Sequence, residues 1–262
     1  MSPPRPSSVH GLRAVEAALT RRPEAVARLL HTGAPRGELA ELLARARALG
    51  VACEQVAPAE LDRAARSPRH GGVVALVAPA PVLGREELLR RLPRGAVLLA
   101  LDGVENPHNA GAILRSLAWF GATALVLGGP RERAQLPPAA LRVAQGAAEV
   151  VPCAAVGDLP LALRRLAEAG VAVIAADPRG GEPPLEAPFP RPVCLVLGSE
   201  EEGLSPAVRA ACARRVTIPG TGQVESLNVS VSAGVLLAAA TRDGPGEPLL
   251  PPTPDRGPPR RR

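Results

Sequence analysis

Apolar and polar positions divide the chain into two alternating stretches with a proline-rich interval between them. In the first stretch, residues 9–19 have the spacing of a short amphipathic helix that stops at Arg22-Pro23. Val26-Ala-Arg-Leu-Leu-His31 reads as a short apolar strand. Apolar side chains at 39, 42, 43, 46 and 49 predict a helix over 38–49, closed by Gly50. Residues 51–56 read as a strand, Pro58 opens a helix in its first turn, and 72–77 is a further strand. The pattern predicts a small α/β domain over residues 9–78, preceded by a flexible N-terminus at 1–8.

Residues 79–95 carry Pro79, Pro81, Gly84, Pro93 and Gly95 and read as a linker with one short helix at 85–91. Beyond it, Ala96-Val-Leu-Leu-Ala-Leu101 is a continuous apolar run, as in a strand buried on both faces. A helix over 109–119 follows. Strand-like runs recur at 123–127, 149–153, 171–176, 193–197 and 214–218, with helices between most of them. This alternation predicts a parallel, doubly wound sheet over residues 96–243. The last helix, 226–241, is apolar on most sides and reads as buried. Glycine, proline and arginine dominate 244–262, which reads as a disordered tail.

Composition narrows the chemistry. Hydrophobic residues are 46% of the 262, enough for a proper core. All 31 basic residues are arginine, so lysine Schiff-base chemistry and a G-K-[ST] phosphate loop are excluded. Trp119, Phe120 and Phe189 are the aromatic residues, too few for a base-stacking platform. Four cysteines are widely spaced with no C-x-x-C, which fits reduced thiols in a cytoplasmic protein. The four histidines offer no metal-ligand spacing, and no apolar run is long enough to span a bilayer. The net charge of +6 is uneven: residues 1–80 hold 11 arginines against 7 acids, and 244–262 hold 4 against 2. A basic excess on one domain and a tail suggests a polyanionic partner.

Three strand ends stand out, because ligands of α/β sheets bind beyond the carboxyl ends of strands. They are Leu101-Asp-Gly-Val-Glu-Asn-Pro-His-Asn-Ala-Gly-Ala-Ile-Leu-Arg115, Leu195-Val-Leu-Gly-Ser-Glu-Glu-Glu-Gly-Leu204 and Ile218-Pro-Gly-Thr-Gly-Gln-Val-Glu-Ser-Leu-Asn-Val-Ser230. A dinucleotide fingerprint is absent: Gly220-Thr-Gly222 lacks the third glycine, and Gly198 to Gly203 the second. Asn109 and Arg115 are about 240° apart around a helix, so Asn109 reads as the cap and Arg115 as a projecting side chain. Glu200, Ser226 and Asn228 read as helix caps or as polar groups converging on one sheet edge.

The three segments resemble motifs 1, 2 and 3 of the SpoU (TrmH-type) RNA ribose 2'-O-methyltransferases of the knotted SPOUT superfamily. The matching residues are N-x-G-A-x-x-R at 109–115, G-S-E-x-E-G-L at 198–204 and I-P-G-x-G-x-V-x-S-L-N-V-S at 218–230. Residues 9–19 and 69–77 are similar to an L30e-like RNA-binding domain, and 134–152 also matches. The resemblance implies a catalytic domain with a deep trefoil knot, homodimers, and S-adenosylmethionine held at Leu197, Gly198, Ile218, Pro219 and Leu227. It implies that Asn109, Arg115, Glu200, Ser226 and Asn228 surround the reacting ribose, with Arg115 activating its hydroxyl. No metal or membrane is implied. The substrate implied is RNA, most closely a guanosine in the P-site loop of 23S rRNA. A tRNA, another rRNA site such as the thiostrepton-binding region, or a catalytically inactive assembly factor are the alternatives. Two departures bear on the RNA: Arg131-Glu-Arg133, where an acid separates two arginines, and Gln145 before Gly146. A guanidinium stays protonated, so Arg115 is either a strongly perturbed base or a fixed donor to a developing alkoxide.

Overall fold

A computed structural model describes residues 7–129, 136–184 and 189–249. The N-terminal part is a four-stranded mixed sheet in the order β1 (Ser7–His10), β4 (Val73–Val77), β2 (Val26–His31), β3 (Ala52–Gln55). β1 and β2 flank β4 antiparallel, and β2 pairs β3 in parallel. α1 (Leu12–Arg21) and α2 (Glu38–Ala48) bury Val15, Leu19 and Leu43 against one face with Leu29 and Val73. α3 (Pro58–Ala65) covers the other through Leu61, Leu30 and Val74.

The first predicted helix is a strand followed by a helix. Gly11, at φ +90°, breaks residues 9–19 after His10, and the helix begins at Leu12. The intended helical face (Ala14, Val15, Ala18, Leu19) is buried as its spacing requires.

The second part is a seven-stranded, all-parallel sheet. Its order is β11 (Arg214–Val216), β9 (Ala172–Ala176), β10 (Val193–Gly198), β6 (Val97–Asp102), β7 (Ala124–Leu127), β8 (Cys153–Ala155), β5 (Val82–Gly84). α5 (Pro107–Trp119), α6 (Pro138–Ala144) and α9 (Val229–Ala240) lie on one face; α4 (Arg85–Arg91), α7 (Leu159–Glu168) and α8 (Pro206–Ala210) on the other. Alternate residues of β6 and β10 feed the two cores. Leu99, Leu101, Leu195 and Leu197 face α5 and α9, while Leu98, Ala100, Cys194 and Val196 face α7. Burial on both faces is why residues 96–101 are unbroken by polar side chains. Burial pushes the Cys153 thiol up to about 12 and raises that of Cys194 as well, and the described cysteines are free. Among the described residues no helix is long and apolar enough to cross a membrane.

Three boundaries differ from the expectation. β5 lies inside the interval read as a linker and pairs with β8 at the edge of the parallel sheet. Residues 149–153 are not a strand: Ala147–Glu149 is a 3-10 turn, Val151 is buried, and pairing starts at Cys153. An apolar run carries either structure, and periodicity over five residues does not separate them. The final helix starts at Val229, leaving 226–228 extended before it.

The segment read as a disordered tail from 244 is ordered in its first residues. Arg191 donates to the carbonyl oxygens of Pro245, Ala240 and Gly244, the first at 2.7 Å. The Thr123 hydroxyl donates to Glu247 O at 2.7 Å, and the Gly246 amide donates to Gly121 O at 2.9 Å. Leu249 is buried in the core beside α7. These partners all precede β6, β7 or β10, so residues 244–249 form a strap across the amino edge of the sheet. Residues 250–262 of the predicted tail, like 1–6 of the predicted N-terminal extension, lie outside the described residues.

Candidate functional site at the carboxyl edge of the sheet

The three motif segments emerge at the edge opposite the strap. β6 runs into α5 through Gly103 to Asn106. Asn106, not Asn109, is the N-cap: its side-chain oxygen accepts from the His108 amide at 2.9 Å, and Pro107 takes the first helical position. The Asn-Pro pair at 106–107 is the sequence signal for that start. Asn109 is thereby set on the inner face of the first turn, where it is buried. Gly111, two residues on, lets α6 pack directly against α5. A Cβ there would stand 2.5 Å from Ala140 O and 2.8 Å from Val143 Cβ.

After β10, residues 198–204 fold into a closed turn in which the Gly203 amide donates to Ser199 O at 3.0 Å. Gly198 is required by this turn, since a Cβ would overlap the backbone of Gly203 and Leu204. The carboxylate of Asp102, at the end of β6, accepts from the Ser205 amide at 2.8 Å and ties the turn to the neighbouring strand. Sequence reading missed Asp102, because the pairing depends on β6 and β10 being adjacent.

The turn presents Glu200 to the other two segments. Asn109 Nδ2 donates to Glu200 Oε2 at 3.2 Å. Asn228 Nδ2 donates to Glu200 Oε1 and, at 3.2 Å, to Asn109 Oδ1. The Val229 amide, in the first turn of α9, also donates to Glu200 Oε1, at 3.2 Å. Asn228 caps α9, its Oδ1 accepting from the Ser230 amide at 2.9 Å and the Ser230 hydroxyl at 2.6 Å. A carboxylate facing a helix N-terminus meets unpaired amides and the positive end of the helix dipole. Three predicted residues, Asn109, Glu200 and Asn228, are therefore one hydrogen-bonded group.

Arg115 and Ser226 are not in that group. Arg115 is exposed on α5, away from the buried face that carries Asn109, as the helical angle requires. Ser226 is exposed in the extended stretch before α9 and does not cap the helix. Neither side chain makes a hydrogen bond or ion pair among the described residues.

Residues 217–228 leave the edge strand β11 and reach α9 at the middle of the sheet, so they cross the carboxyl ends of β9 and β10. Thr217 fixes the start of the crossing: its hydroxyl donates to Asp177 O at 2.9 Å and accepts from the Gly181 amide at 2.8 Å. From Ile218 to Leu227 the amides, Gln223 apart, find no partner among the described residues. Gly220 and Gly222 have open space where a side chain would stand. Ile218 is half-buried and Leu227 is 44% exposed, so apolar side chains flank this free backbone. Unpaired main-chain donors beside apolar side chains fit an adenine-bearing cofactor, whose base edge is read by backbone and whose faces are apolar. The residues at 197–198, 218–219 and 227 thus fit S-adenosylmethionine. Among the described residues no group of histidines, cysteines and acids could hold a metal ion.

Comparison with known proteins agrees with this geometry. Residues 96–238 match the SpoU rRNA Methylase family, and residues 8–83 match the family described as RNA 2'-O ribose methyltransferase substrate binding. The 23S rRNA (guanosine-2'-O-)-methyltransferase RlmB of Pseudomonas putida is 37% identical over 239 residues, covering 89% of this chain and 95% of that protein. The enzyme of the same name from Acinetobacter baylyi is 36% identical over 244 residues, covering 91% and 98%. The crystal structure of the SpoU methyltransferase AviRb from Streptomyces viridochromogenes, in complex with AdoMet, aligns with a TM-score of 0.73 at 27% identity, covering 90% of this chain and 89% of that one. A parallel sheet with three motif segments at its carboxyl edge, behind a small mixed-sheet domain, places this chain in the SpoU rRNA methylase family.

Proposed function

We propose that this protein is an S-adenosylmethionine-dependent RNA ribose 2'-O-methyltransferase acting on a guanosine of the peptidyl-transferase P-site loop of 23S rRNA. The observation that carries the reading is the junction of Asn109, Glu200 and Asn228 beside a crossing strand of unpaired amides. The P. putida and A. baylyi relatives, each matched over nearly their full length, support 23S rRNA guanosine as the substrate. Both match through the N-terminal domain as well, which favours rRNA over tRNA.

S-adenosylmethionine, when bound, supplies an electrophilic methyl group; this chain supplies orientation and charge. Leu197, Gly198, Ile218, Pro219 and Leu227 would hold it. Glu200 accepts from Asn109, Asn228 and the Val229 amide, so its oxygens are occupied by donors and its role is to hold the three segments together. Among the described residues Arg115 has no carboxylate partner. Its guanidinium is exposed on α5 and available to RNA. In that position its N–H groups donate to the ribose 2'-oxygen or to the adjoining phosphate. Ser226, exposed before α9, would add a hydroxyl to the RNA contact.

The reading includes two features of the family. One is the trefoil knot, supported by the passage of 217–228 over the strand ends before α9 docks. The other is a homodimer, supported by Val224, Leu227 and Val231, which expose 71%, 44% and 50% of their surface around the start of α9. The setting is the cytoplasm, where rRNA is modified.

The test is methyl transfer from labelled S-adenosylmethionine to unmodified 23S rRNA, with the site mapped by primer extension at low dNTP. A single stop at the P-site loop guanosine is expected. A stop elsewhere replaces the RNA assigned here, and cofactor binding without transfer to any rRNA or tRNA favours an inactive RNA-binding factor. Arg115→Ala should lower transfer by about 100-fold or more while leaving cofactor affinity and melting temperature unchanged. Retained activity would remove Arg115 from the mechanism.

A further inference from the structure

The N-terminal domain does not hang freely from its linker. α1 lies against the turn that joins α6 to β8, so closely that a Cβ on Gly146 would overlap Ala17. Leu141 of α6 packs into the N-terminal core. At the end of α1, Arg22 makes a fork onto two segments, the turn at Glu149 and the chain at 78–79. Its Nε donates to Glu149 Oε2 at 2.6 Å, its Nη2 to Ala78 O at 3.1 Å and its Nη1 to Pro79 O at 3.4 Å. The pair is sequestered: the side chains of Arg22 and Glu149 are 20% and 5% exposed. Beside this contact the domains part, leaving a cleft of about 400 Å³ lined by Val9, Pro79, Leu136 and Val151 among others. The domains are therefore joined along one side, with Arg22 at the corner.

The angle of that join matters for the site. The turn carrying Glu149 packs on α5, and its neighbours Ala147 and Val151 share a core with Ile113 and Leu114, which directly precede Arg115 in sequence. The surface that the N-terminal domain grips is thus the layer that carries Asn109 and Arg115. We propose that Arg22 and Glu149 are positioning residues for the RNA. Their ion pair holds the substrate-binding domain at a fixed angle to α5, so that RNA bound by the first domain presents its ribose to the second. This rests on the reading under Proposed function. Arginine suits the task and lysine does not, because a planar guanidinium addresses linker carbonyls and a carboxylate at once.

The experiment compares Arg22→Gln, Glu149→Gln and the double variant by steady-state methyl transfer to 23S rRNA, S-adenosylmethionine affinity and small-angle scattering of the free protein. Each single variant should raise KM for rRNA about tenfold, with kcat within about twofold of wild type and cofactor affinity unchanged. The scattering radius should increase, and the double variant should be no worse than Arg22→Gln alone, because both changes break one contact. Arg22→Lys, which keeps the charge and loses the fork, should lie between wild type and Arg22→Gln. Unchanged KM and radius in the single variants would overturn the proposal. So would a common loss of kcat, cofactor affinity and melting temperature, which marks a merely structural pair. If wild type does not methylate 23S rRNA, the substrate assignment fails, and the scattering radius of the single variants still decides whether Arg22 fixes the angle.

Discussion

The two edges of the parallel sheet are built in opposite ways. At the amino edge, the strap 244–249 is fastened by Arg191, which donates to the carbonyls of Gly244 and Pro245 and to that of Ala240 at the end of α9, and by main-chain bonds to Gly95 and Gly121. At the carboxyl edge, the crossing strand from Ile218 to Leu227 leaves most of its amides unpaired. One edge closes the fold and the other offers main-chain donors to a ligand. The Glu200 junction fixes where the open segment ends, as Thr217 fixes where it begins, and neither fills its donors. Stability and binding are thus assigned to opposite ends of the same strands, the arrangement expected of open α/β sheets.

The sharpest way to break the contrast is Gly198→Ala, because the added Cβ overlaps the backbone of Gly203 and Leu204. The turn must shift by about an ångström, enough to cost activity about 100-fold. Cofactor affinity measured by calorimetry should fall with it. Glu200→Ala comes next. It removes an acceptor from Asn109, Asn228 and Val229, so kcat should drop by one to two orders of magnitude, roughly the loss of one organising polar group. Thermal denaturation should show a penalty of about 1 kcal/mol from the acceptor lost to the Val229 amide in the first turn of α9, whose cap Asn228 remains. Arg191→Ala attacks the closed edge. It should cost about 2 kcal/mol, seen as a melting temperature lower by roughly 4–8 °C, with cofactor affinity at the far edge unchanged. A matching loss of cofactor affinity would show that the edges are coupled and end the comparison.

The smallest effect lies outside both edges. His10, on β1, is buried and its ring nitrogens find no partner among the described residues. Burial first, then Arg142 of α6 and His70, hold its pKa below the ordinary 6.5. The unfolded chain then takes up a proton near pH 6.5 that the native state refuses, so stability is full above that pH and declines as pH falls below it. Denaturant melts from pH 7.5 to 5 should show this decline, and His10→Leu should flatten it.

The legible parts of this fold were those in which a residue's partner lies in its own element or both faces are buried. The run 96–101 declared a central strand because both faces of β6 are covered. The motif segments pointed to one sheet edge, where Asn109, Glu200 and Asn228 meet, since glycine-bearing turns at strand ends are local features. Three kinds of information were not legible. The cap at Asn106 was overlooked in favour of Asn109, although Pro107 marked the true start. The strap reads as a tail because its order comes from main-chain bonds and from one arginine among the 31. Arg22 and Glu149 are 127 residues apart, and no local pattern distinguishes them from other solvated charges. Arg131, Glu132 and Arg133, the departure expected to bear on RNA choice, lie outside the described residues; Gln145, the other, ends α6 in a left-handed conformation at φ +49°.

The Glu200 junction also imposes an order on synthesis. Asn109 precedes Glu200 by 91 residues and Asn228 by 119. At a translation rate of about 5–20 residues per second, Asn109 waits roughly 6–24 s for Asn228 to be made. During that interval the first motif and the whole N-terminal domain already exist, while the crossing strand and its helix cap do not. The growing chain can meet RNA before it can methylate it, and competence arrives in one late step.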